Sequence, residues 1–374
     1  MAKKFIKLSK GSGGSADDRV KYVTYMDRGA ELIKYPVIEG DTARDPVAKG
    51  YIEKPTKEPT ESTVYTQSGW SKTDGGAPDS AALQNVTEDR TVYAAFTESA
   101  RTFTVRFFDG DTLVHTEQVA YGGSSSYSIT KEGYILSGWS PAPTNVTADM
   151  DCYAQWIEGV DFATAEWSKI AEISEAGKAS EAFNLGQTRT ETMTYSDGTT
   201  ETIELEIVSF AEKDQNGNAV MTLVPKNLIN KKSQFSKSGG TTVYADTSII
   251  KPYLENTILP ALPSDLQGVL KPTKVYDSMF GSDGYSNIAL LDCDNICVYY
   301  EGTNYTDTVP TTLYGFDTTN AKRVRKTADG TARTWWVNIV DNTSGKCLYV
   351  SPVGKGDATT STNSSNYILF KICV

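Results

Sequence analysis

The chain has 374 residues, of which 22% are charged and 39% are hydrophobic. This composition is typical of a soluble globular protein with about two to four domains. The formal net charge of -11 argues against a nucleic-acid partner, because phosphate binding needs a concentrated face of Lys and Arg. The 30 Gly, 14 Pro and 21 Tyr favour strands and turns over helices.

The first 20 residues are rich in Gly, Ser and Lys, and they predict a flexible attachment arm. Their apolar residues, Phe5, Ile6 and Leu8, are interrupted by lysines and do not form the apolar core of an export signal. No run of about 18 apolar residues follows in the sequence. We therefore expect a protein made in a cytosol and not inserted into a membrane.

Two parts of the chain repeat the same words in the same order. The first contains VTYMDRGAEL, SGWS and NVTEDRTVYAAF, and the second contains VRFFDGDTLV, SGWS and NVTADMDCYAQW. This agreement predicts two copies of one small domain, at 21–98 and 102–157. Each copy has one central tryptophan, Trp70 or Trp139, which we expect to be the most buried residue of a domain with little other core.

The second copy resembles the internalin B-repeat family, the Listeria-Bacteroides type of β-grasp repeat. The resemblance is carried by FTVRFFDGD, VAYGGSSSY, KEGYILSGWS and NVTADMDCYAQW. The first copy departs from the family between Gly50 and Tyr65 and by the insertion KTDGGAPDSAALQ. In that family the repeats act as spacers and weak adhesive modules of bacterial and phage surface proteins. The resemblance therefore implies a stalk and not a catalyst.

The character of the sequence changes after residue 164. Apolar residues that recur at every third position predict a helix within Glu166–Thr188. The stretch ETMTYSDGTTETIELEIVSFA predicts a hairpin that turns at Asp197 and Gly198. A second helical stretch, Ser248–Leu270, is interrupted by three prolines. The remainder alternates between strands and loops.

This C-terminal part resembles a domain family of uncharacterised function that is common at the C-termini of Firmicutes and prophage proteins. The matching words are WSKIAEISEAGKASEAFNLGQT, LEIVSFAEKD, PYLENTILPALPSDLQGVLKPTK, the WW pair and FKICV. The family looks C-type-lectin-like, a fold shared with the variable proteins of diversity-generating retroelements. In that fold the last strands and loops present the ligand-binding surface. One departure is that Val337 and Asn338 follow the tryptophans where the family usually has an Arg, so any role of that Arg is lost.

The expected fold is mainly β with a C-terminal α+β domain: two tandem small β-grasp-like repeats followed by a C-type-lectin-like ligand-binding domain at 165–374. In that domain Trp335, Ile339, Leu348 and Ile368 are expected to face the core, and the intervening side chains to face out. Tyr and Trp give contact area, and Asn, Asp and Ser give adaptable hydrogen bonds. The candidate ligand-binding residues are Trp336, Asn338, Asp341, Asn342, Tyr349 and Ser351, with Tyr300, Asn304 and Tyr305 from the preceding loop.

The sequence contains only weak patterns for catalysis or metal binding. The single histidine, His115, has no nucleophile near it in sequence and reads as a strand residue. The loop Asp214–Ala219 resembles a calcium loop, but Pro225 stands where the bidentate Glu should be, so a hairpin turn is expected. Asp292 and Asp294 have the spacing of a glycosidase pair, which we interpret as coincidence among 47 acidic residues. We expect no catalytic residue, no metal and no cofactor.

The five cysteines are an odd number scattered over strand-like segments, and they read as small buried hydrophobes.

The N-terminal segment, the repeats and the two family resemblances together imply a virion structural protein for host attachment, made in the host bacterial cytoplasm. Its expected partners are a host cell-surface glycan or protein, other virion proteins through the N-terminal arm, and further copies of itself, a trimer being favoured. The alternatives are a tail-associated glycan-degrading enzyme, a capsid decoration protein and a bacterial surface adhesin; the adhesin needs an export signal and a wall-sorting tail.

Overall fold

The computed structural model describes residues 18–235, 249–275, 284–292, 296, 313–316, 319–341, 346–359 and 365–374. Strands dominate the described part, which confirms the prediction of a mainly β protein. Two compact units are present. The first comprises residues up to Tyr127 together with Gly138–Ala154, and the second comprises Ser128–Ser137 and Gln155–Val374. No helix in the described ranges combines the length and the apolar character needed to cross a membrane.

The first copy of the repeat is a four-stranded sheet. Its strands are Val20–Asp27 (β1), Ala30–Ile38 (β2), Thr63–Ser71 (β3) and Arg90–Ala100 (β4). The strand order is β2-β1-β4-β3, with β1 antiparallel to β2 and parallel to β4. The SGWS word forms the end of β3, and the NVT word lies just before β4.

The second copy repeats this topology. Its strands are Thr102–Asp109 (β5), Thr112–Ala120 (β6), Tyr134–Ser140 (β7) and Met150–Glu158 (β8). The order is β6-β5-β8-β7, with β5 antiparallel to β6 and parallel to β8. His115 lies within β6, as predicted, and its ring stacks on Tyr127 at 4.0 Å between centroids.

The two copies also share side-chain hydrogen bonds at equivalent positions. Asp89 Oδ1 accepts the backbone N–H of Tyr22 at 2.7 Å in the first copy. Asp149 Oδ1 accepts the backbone N–H of Thr104 at 2.8 Å in the second. In both cases a carboxylate just before the last strand holds the start of the first strand. The repeated words therefore specify the same local contacts as well as the same strand order.

The two central tryptophans differ in burial. Trp70 is 2% exposed and packs edge-to-face on Tyr25 at 4.7 Å. Trp139 packs on Phe107 in the same geometry at 4.8 Å but is only half-buried. The expectation that each tryptophan is the most buried residue of its copy is wrong, because Tyr25 and Phe107 are both 0% exposed.

The lengths of the connections between strands explain why Trp70 is more buried than Trp139. The longer connections of the first copy contribute Ala43 and Ala82 to the core that contains Trp70. The second copy has shorter connections and a core of five buried residues, against which Trp139 packs from the edge. A half-buried ring stabilises less, since the apolar area removed from water is smaller.

The second unit contains two five-stranded sheets. The strands of the first sheet are Thr188–Thr194 (β9), Thr200–Lys213 (β10), Ala219–Pro225 (β11), Ala289–Leu290 (β15) and Phe370–Cys373 (β20). Those of the second are Ile229–Gln234 (β12), Trp335–Asp341 (β16), Lys346–Val350 (β17), Gly356–Thr359 (β18) and Ser365–Ile368 (β19). The strand order is β15-β20-β11-β10-β9 in the first sheet and β12-β19-β16-β17-β18 in the second. A separate short pair joins Thr273–Val275 (β13) to Gly284–Ser286 (β14).

Helical segments of the second unit are short. They are Trp167–Glu175 (α1), Ala179–Ala182 (α2), Ile250–Tyr253 (α3), Ser264–Val269 (α4) and Asn320–Arg323 (α5). The predicted helix after Glu166 is confirmed as α1, whose Trp167, Ile170 and Ile173 are buried. The proline-interrupted stretch is confirmed too: a π turn and a 3-10 turn separate α3 from α4, and Pro260 lies in the 3-10 turn.

Both predicted hairpin turns are present. Asp197 Oδ1 accepts the backbone N–H of Thr199 at 2.9 Å between β9 and β10. Asp214 Oδ1 accepts the backbone N–H groups of Asn216 and Asn218, each at 2.8 Å, between β10 and β11. An Asp side chain that accepts hydrogen bonds from backbone N–H groups a few residues ahead favours a turn over a continued strand.

Three cysteines behave as predicted. Cys152, Cys347 and Cys373 are free thiols in buried positions. Cys293 and Cys297 lie outside the described residues.

Candidate functional site

The residues predicted to form a recognition surface lie on β16, β17 and the loops around them. Of the predicted core positions, Trp335, Leu348 and Ile368 are buried, as expected. The side chain of Ile339 lies outside the described part of the structure. The platform beneath the predicted surface is therefore packed at the three positions that are described.

Trp336 does not face out, and its prediction as an outward residue is wrong. The side chain is 0% exposed and packs edge-to-face on Phe235 at 5.5 Å. Its indole N–H donates to the carbonyl oxygen of Ser233 at 2.8 Å. A side chain in this position is part of the core and cannot reach a ligand.

The physical reason is that β16 lies between two apolar clusters. Trp335 and Val337 belong to one cluster, with Leu348 and Val350. Trp336 belongs to the other, with Phe235 and Ile368 among its members. A strand buried on both faces has a continuous apolar run instead of alternation. The run Trp335–Val337 was therefore the signal in the sequence that both faces are covered.

Two predicted site residues in the described part of the structure, Tyr349 and Ser351, are partly exposed. Tyr349 pairs with Trp336 across β16 and β17, and their rings meet edge-to-face at 6.5 Å. Ser351 begins a turn in which its Oγ accepts the backbone N–H of Lys355 at 3.2 Å. The side chains of Asn338 and Asp341, and the whole of Asn342, Tyr300, Asn304 and Tyr305, lie outside the described residues.

A buried arginine fixes the turn that carries Ser351. Arg323, 6% exposed, donates from Nε to the carbonyl oxygen of Gly354 at 3.0 Å. Its terminal nitrogen donates to Asn320 Oδ1 at 2.6 Å. Gly354 has a left-handed φ of 79° and lies against the backbone of Asn320, so that a Cβ there would overlap the Asn320 carbonyl. The turn from Ser351 to Lys355 is thereby held against α5.

A second anchored turn precedes β16. Asp329 Oδ1 accepts the Thr327 hydroxyl at 2.6 Å and the Thr331 backbone N–H at 2.9 Å. The Thr327 hydrogen bond, followed by those from Thr331, lowers the pKa of Asp329 to about 2. Arg325 is half-buried over the ring of Phe316 at 4.1 Å, and its burial lowers its pKa to about 10. The segment that leads into the tryptophan pair is thus ordered by its own polar contacts.

Sequence reasoning missed a buried ionic cluster on β20. Lys371 Nζ lies 3.1 Å from Glu212 Oε1 and 3.2 Å from Asp292 Oδ2. Asp292, whose spacing from Asp294 we interpret as coincidence, is 8% exposed and in contact with a lysine; Asp294 lies outside the described residues. In the sequence, the signal was Lys371 inside the apolar run FKICV and Asp292 at the end of the apolar run IALLD.

Metal ligation has no candidate among the side chains that the structure describes: no group of three or more His, Cys, Asp or Glu is placed to hold an ion. An open cleft of about 450 Å³ lies beside the turn between β10 and β11. It is lined by polar groups of Asp214, Asn216 and Lys271 and by Val374.

No family model matches the chain. Over 116 aligned residues the chain is 37% identical to internalin H of Listeria monocytogenes. The alignment covers 29% of this chain and 19% of internalin H. The chain therefore spans about a fifth of the length of this relative, and the similarity concerns one part of each protein.

Proposed function

We propose that the protein is a phage virion structural protein for host attachment, a receptor-binding subunit of a tail fibre, baseplate or head fibre. In this proposal two β-grasp-like repeats are spacers, and a C-type-lectin-like domain is the tip. The observation that carries it is the duplicated sheet, in which strand order and anchoring hydrogen bonds recur. Repetition of one small module extends a chain without adding a new site. The partial similarity to internalin H supports a repeat-containing surface protein.

The tip is proposed to use loops held on a rigid sheet. Such loops carry recognition most often, because the scaffold fixes them while their side chains stay free to vary. Within the described residues the surface centres on Tyr349 and Ser351, supported from below by Trp336 and from the side by Arg323. Asn338, Asp341, Asn342, Tyr300, Asn304 and Tyr305 remain predicted members of this surface. Its ligand is a host cell-surface glycan or protein.

The other predicted partners are part of the proposal. Residues 1–20 attach the chain to another virion protein, and the chain assembles with copies of itself, a trimer being favoured. Residues 1–17 lie outside the described residues. A role as a capsid decoration protein uses the same parts and differs only in where the arm attaches. We do not extend the proposal to the glycan-degrading alternative, because Asp292 is buried and paired with Lys371.

Cell binding by the full chain tests the tip. The test variant carries Tyr349→Ala and Ser351→Ala, and the control carries Tyr22→Ala at a 41% exposed position of β1. We expect the test variant to bind host cells roughly tenfold more weakly or worse, since aromatic anchors dominate such surfaces, and the control to bind as the parent does. Equal binding by a folded test variant, or loss in the control alone, would place recognition elsewhere.

The virion assignment has its own test. Purified particles are digested and analysed by mass spectrometry for peptides of this chain. The proposal expects these peptides in particles and their loss when Ala2–Asp18 is deleted. Absence from particles of the intact chain would refute the virion assignment, whatever the cell-binding result.

A further inference from the structure

The buried cluster around Lys371 joins three segments that are far apart in sequence. Lys371 lies on β20, Glu212 on β10, and Asp292 two residues after β15. Their side chains are 3%, 13% and 11% exposed. Lys371 Nζ is 3.2 Å from Asp292 Oδ2, and 3.1 and 3.4 Å from the two carboxylate oxygens of Glu212. One amine therefore touches two carboxylates at a largely buried site.

We propose that Lys371 and Asp292 become joined by an amide bond between their side chains, an intramolecular crosslink, with Glu212 as the general acid–base group that transfers protons. The amine and the carboxyl are the two groups that an amide needs, and they are already in contact. No cofactor or further reactant is required.

Backbone pairing holds the two reacting groups together. β15 pairs antiparallel with β20, with Ala289 opposite Lys371 and Leu290 opposite Phe370. This register fixes the segment that carries Asp292 beside the strand that carries Lys371. Two groups held in this way behave as if at a very high concentration, with effective molarities of about 10⁵–10⁸ M in well-oriented cases. A condensation that is negligible between free side chains in water becomes accessible under these conditions.

The residues around the cluster are buried, so little water reaches the reacting groups or an amide formed from them. Phe370 and Ile372, on either side of Lys371, point into the main core on the opposite face of the strand. On the face of Lys371, Cys373 lies against Thr222 and Thr273, which are 0% and 4% exposed. Removing water favours condensation, because water is its product, and protects the amide from hydrolysis.

Proton transfer is the step for which Glu212 is needed. Burial alone would lower the pKa of Lys371, but the nearby carboxylates of Asp292 and Glu212 outweigh it and raise that pKa. The amine thus starts as an ammonium and must give up a proton before it can attack. Glu212 touches Nζ through both oxygens and can accept that proton.

The atoms balance as follows. Glu212 takes one proton from the Lys371 ammonium, and the neutral amine attacks Cγ of Asp292. A C–N bond forms, the nitrogen gives up a second proton, and one Asp292 oxygen leaves with both protons as water, the first delivered by Glu212. The Lys371 ammonium and the Asp292 carboxylate are replaced by a neutral amide and one water molecule. Glu212 ends as the carboxylate it was at the start.

A plain ion pair explains the cluster less well. Among the described residues, a single lysine amine is in contact with two carboxyl groups at a largely buried site, whereas an ion pair needs only one carboxylate. Burying such charges costs free energy that their attraction offsets poorly. Condensation removes one positive and one negative charge from this site. Cys373 is not a competing nucleophile, because burial raises the pKa of its thiol to about 12.

Intact-mass measurement of the full, soluble chain in denaturant tests the proposal. After allowance for removal of Met1, the mass is expected to be lower than the sequence mass by one water molecule. A protease digest is expected to yield one branched peptide that contains both Lys371 and Asp292. The full sequence mass, or separate linear peptides for the two residues, would overturn the crosslink.

Three variants separate this crosslink from other losses of water. Lys371→Arg keeps the positive charge but lacks the reactive amine, and Glu212→Gln lacks the base, so both are expected at full mass. Asp292→Asn retains a carbon that the amine can attack and is expected to lose ammonia instead of water. A water loss that persists in Lys371→Arg would assign it to another site. The mass of the unsubstituted chain shows whether one water molecule has been lost, even where a variant fails to fold.

Discussion

The indole N–H of Trp336 donates to the carbonyl oxygen of Ser233 at 2.8 Å, across 103 residues of sequence. Trp336 is on β16 and Ser233 is on β12, and β19 lies between these strands in the sheet. The ring thus reaches over a neighbouring strand to hold an outer strand in place. Its role is to stabilise the proposed tip from inside.

Shortening Trp336 is therefore expected to destabilise the second unit. Trp336→Ala should lower the free energy of unfolding by roughly 3–5 kcal/mol, the range for large-to-small changes of buried aromatic residues. Trp336→Phe keeps most of the ring but leaves the Ser233 carbonyl without its donor, at a cost of about 1–3 kcal/mol. Denaturant unfolding followed by circular dichroism measures both.

The matched control is Val353→Ala, at a position 70% exposed in the turn after Ser351. Surface changes of this kind stay within about 0.5 kcal/mol. If Trp336→Ala were as mild as Val353→Ala, the ring would not be the support that its burial indicates.

The two repeats are expected to respond unequally to loss of their tryptophan. Trp70→Ala should cost roughly 3–5 kcal/mol in the first copy, because the ring is almost fully enclosed. Trp139→Ala should cost less, since its half-buried ring removes less apolar area from water. Hydrogen exchange resolved by peptide reports each sheet separately: protection should fall over Val20–Ala100 in one variant and over Thr102–Glu158 in the other. Equal losses would contradict the difference in packing.

Local patterns in the sequence predicted the local structure well. The helix α1 follows from apolar residues such as Ile170 and Ile173 on one face, and the turn at Asp197 follows from hydrogen bonds within a few residues. The repeated words predicted similar sheets because they carry the same anchoring residues, such as Asp89 and Asp149.

The failures arose where the answer depends on distant parts of the chain. Alternation assigned Trp336 to the surface because the rule assumes one covered face, whereas β16 has a core on each side. Lys371 has partners 79 and 159 residues away, so the apolar run FKICV around it indicates burial but not which groups lie against its amine. The burial of Trp139 depends on connection lengths that propensities do not describe.

Acid is expected to loosen the turn before β16. The pKa of Asp329 is lowered from 3.8 to about 2 because the carboxylate accepts hydrogen bonds from Thr327 and Thr331. A carboxyl whose pKa is lower in the folded state stabilises the fold above its unfolded pKa, and this contribution is lost as pH falls through the folded value. The turn should therefore hold at pH 4 and above, weaken below 3.8, and lose this support below about pH 2.

Amide exchange at Thr331, corrected for the intrinsic effect of pH, measures this change. Asp329→Asn is the control, because its amide oxygen can still accept a hydrogen bond but does not titrate in this range. The parent should show increasing exchange as pH falls from about 4 to about 2, and the variant should not. The same acid response in both would assign the titration to another group.

The last prediction concerns the glycine beneath the proposed recognition turn. Gly354→Ala should destabilise the turn in two ways: its φ of 79° is unfavourable for a side chain, and the added Cβ would overlap the carbonyl of Asn320. Relief of that overlap requires the turn to move away from α5, which breaks the bond from Arg323 to the Gly354 carbonyl. Gly330→Ala is the matched control, since Gly330 has a φ of 81° and nothing within 4 Å of an added Cβ.

Left-handed backbone alone costs about 1–2 kcal/mol for a residue with a side chain. We therefore expect a loss of that size in Gly330→Ala and a larger loss in Gly354→Ala, measured as free energies of unfolding. Host-cell binding by the full chain should fall in Gly354→Ala, because the displaced turn carries Ser351, and stay unchanged in Gly330→Ala. Equal losses of stability in Gly354→Ala and Gly330→Ala would show that the turn moves away from Asn320 at little cost in free energy. Intact binding by a destabilised Gly354→Ala would separate this turn from recognition.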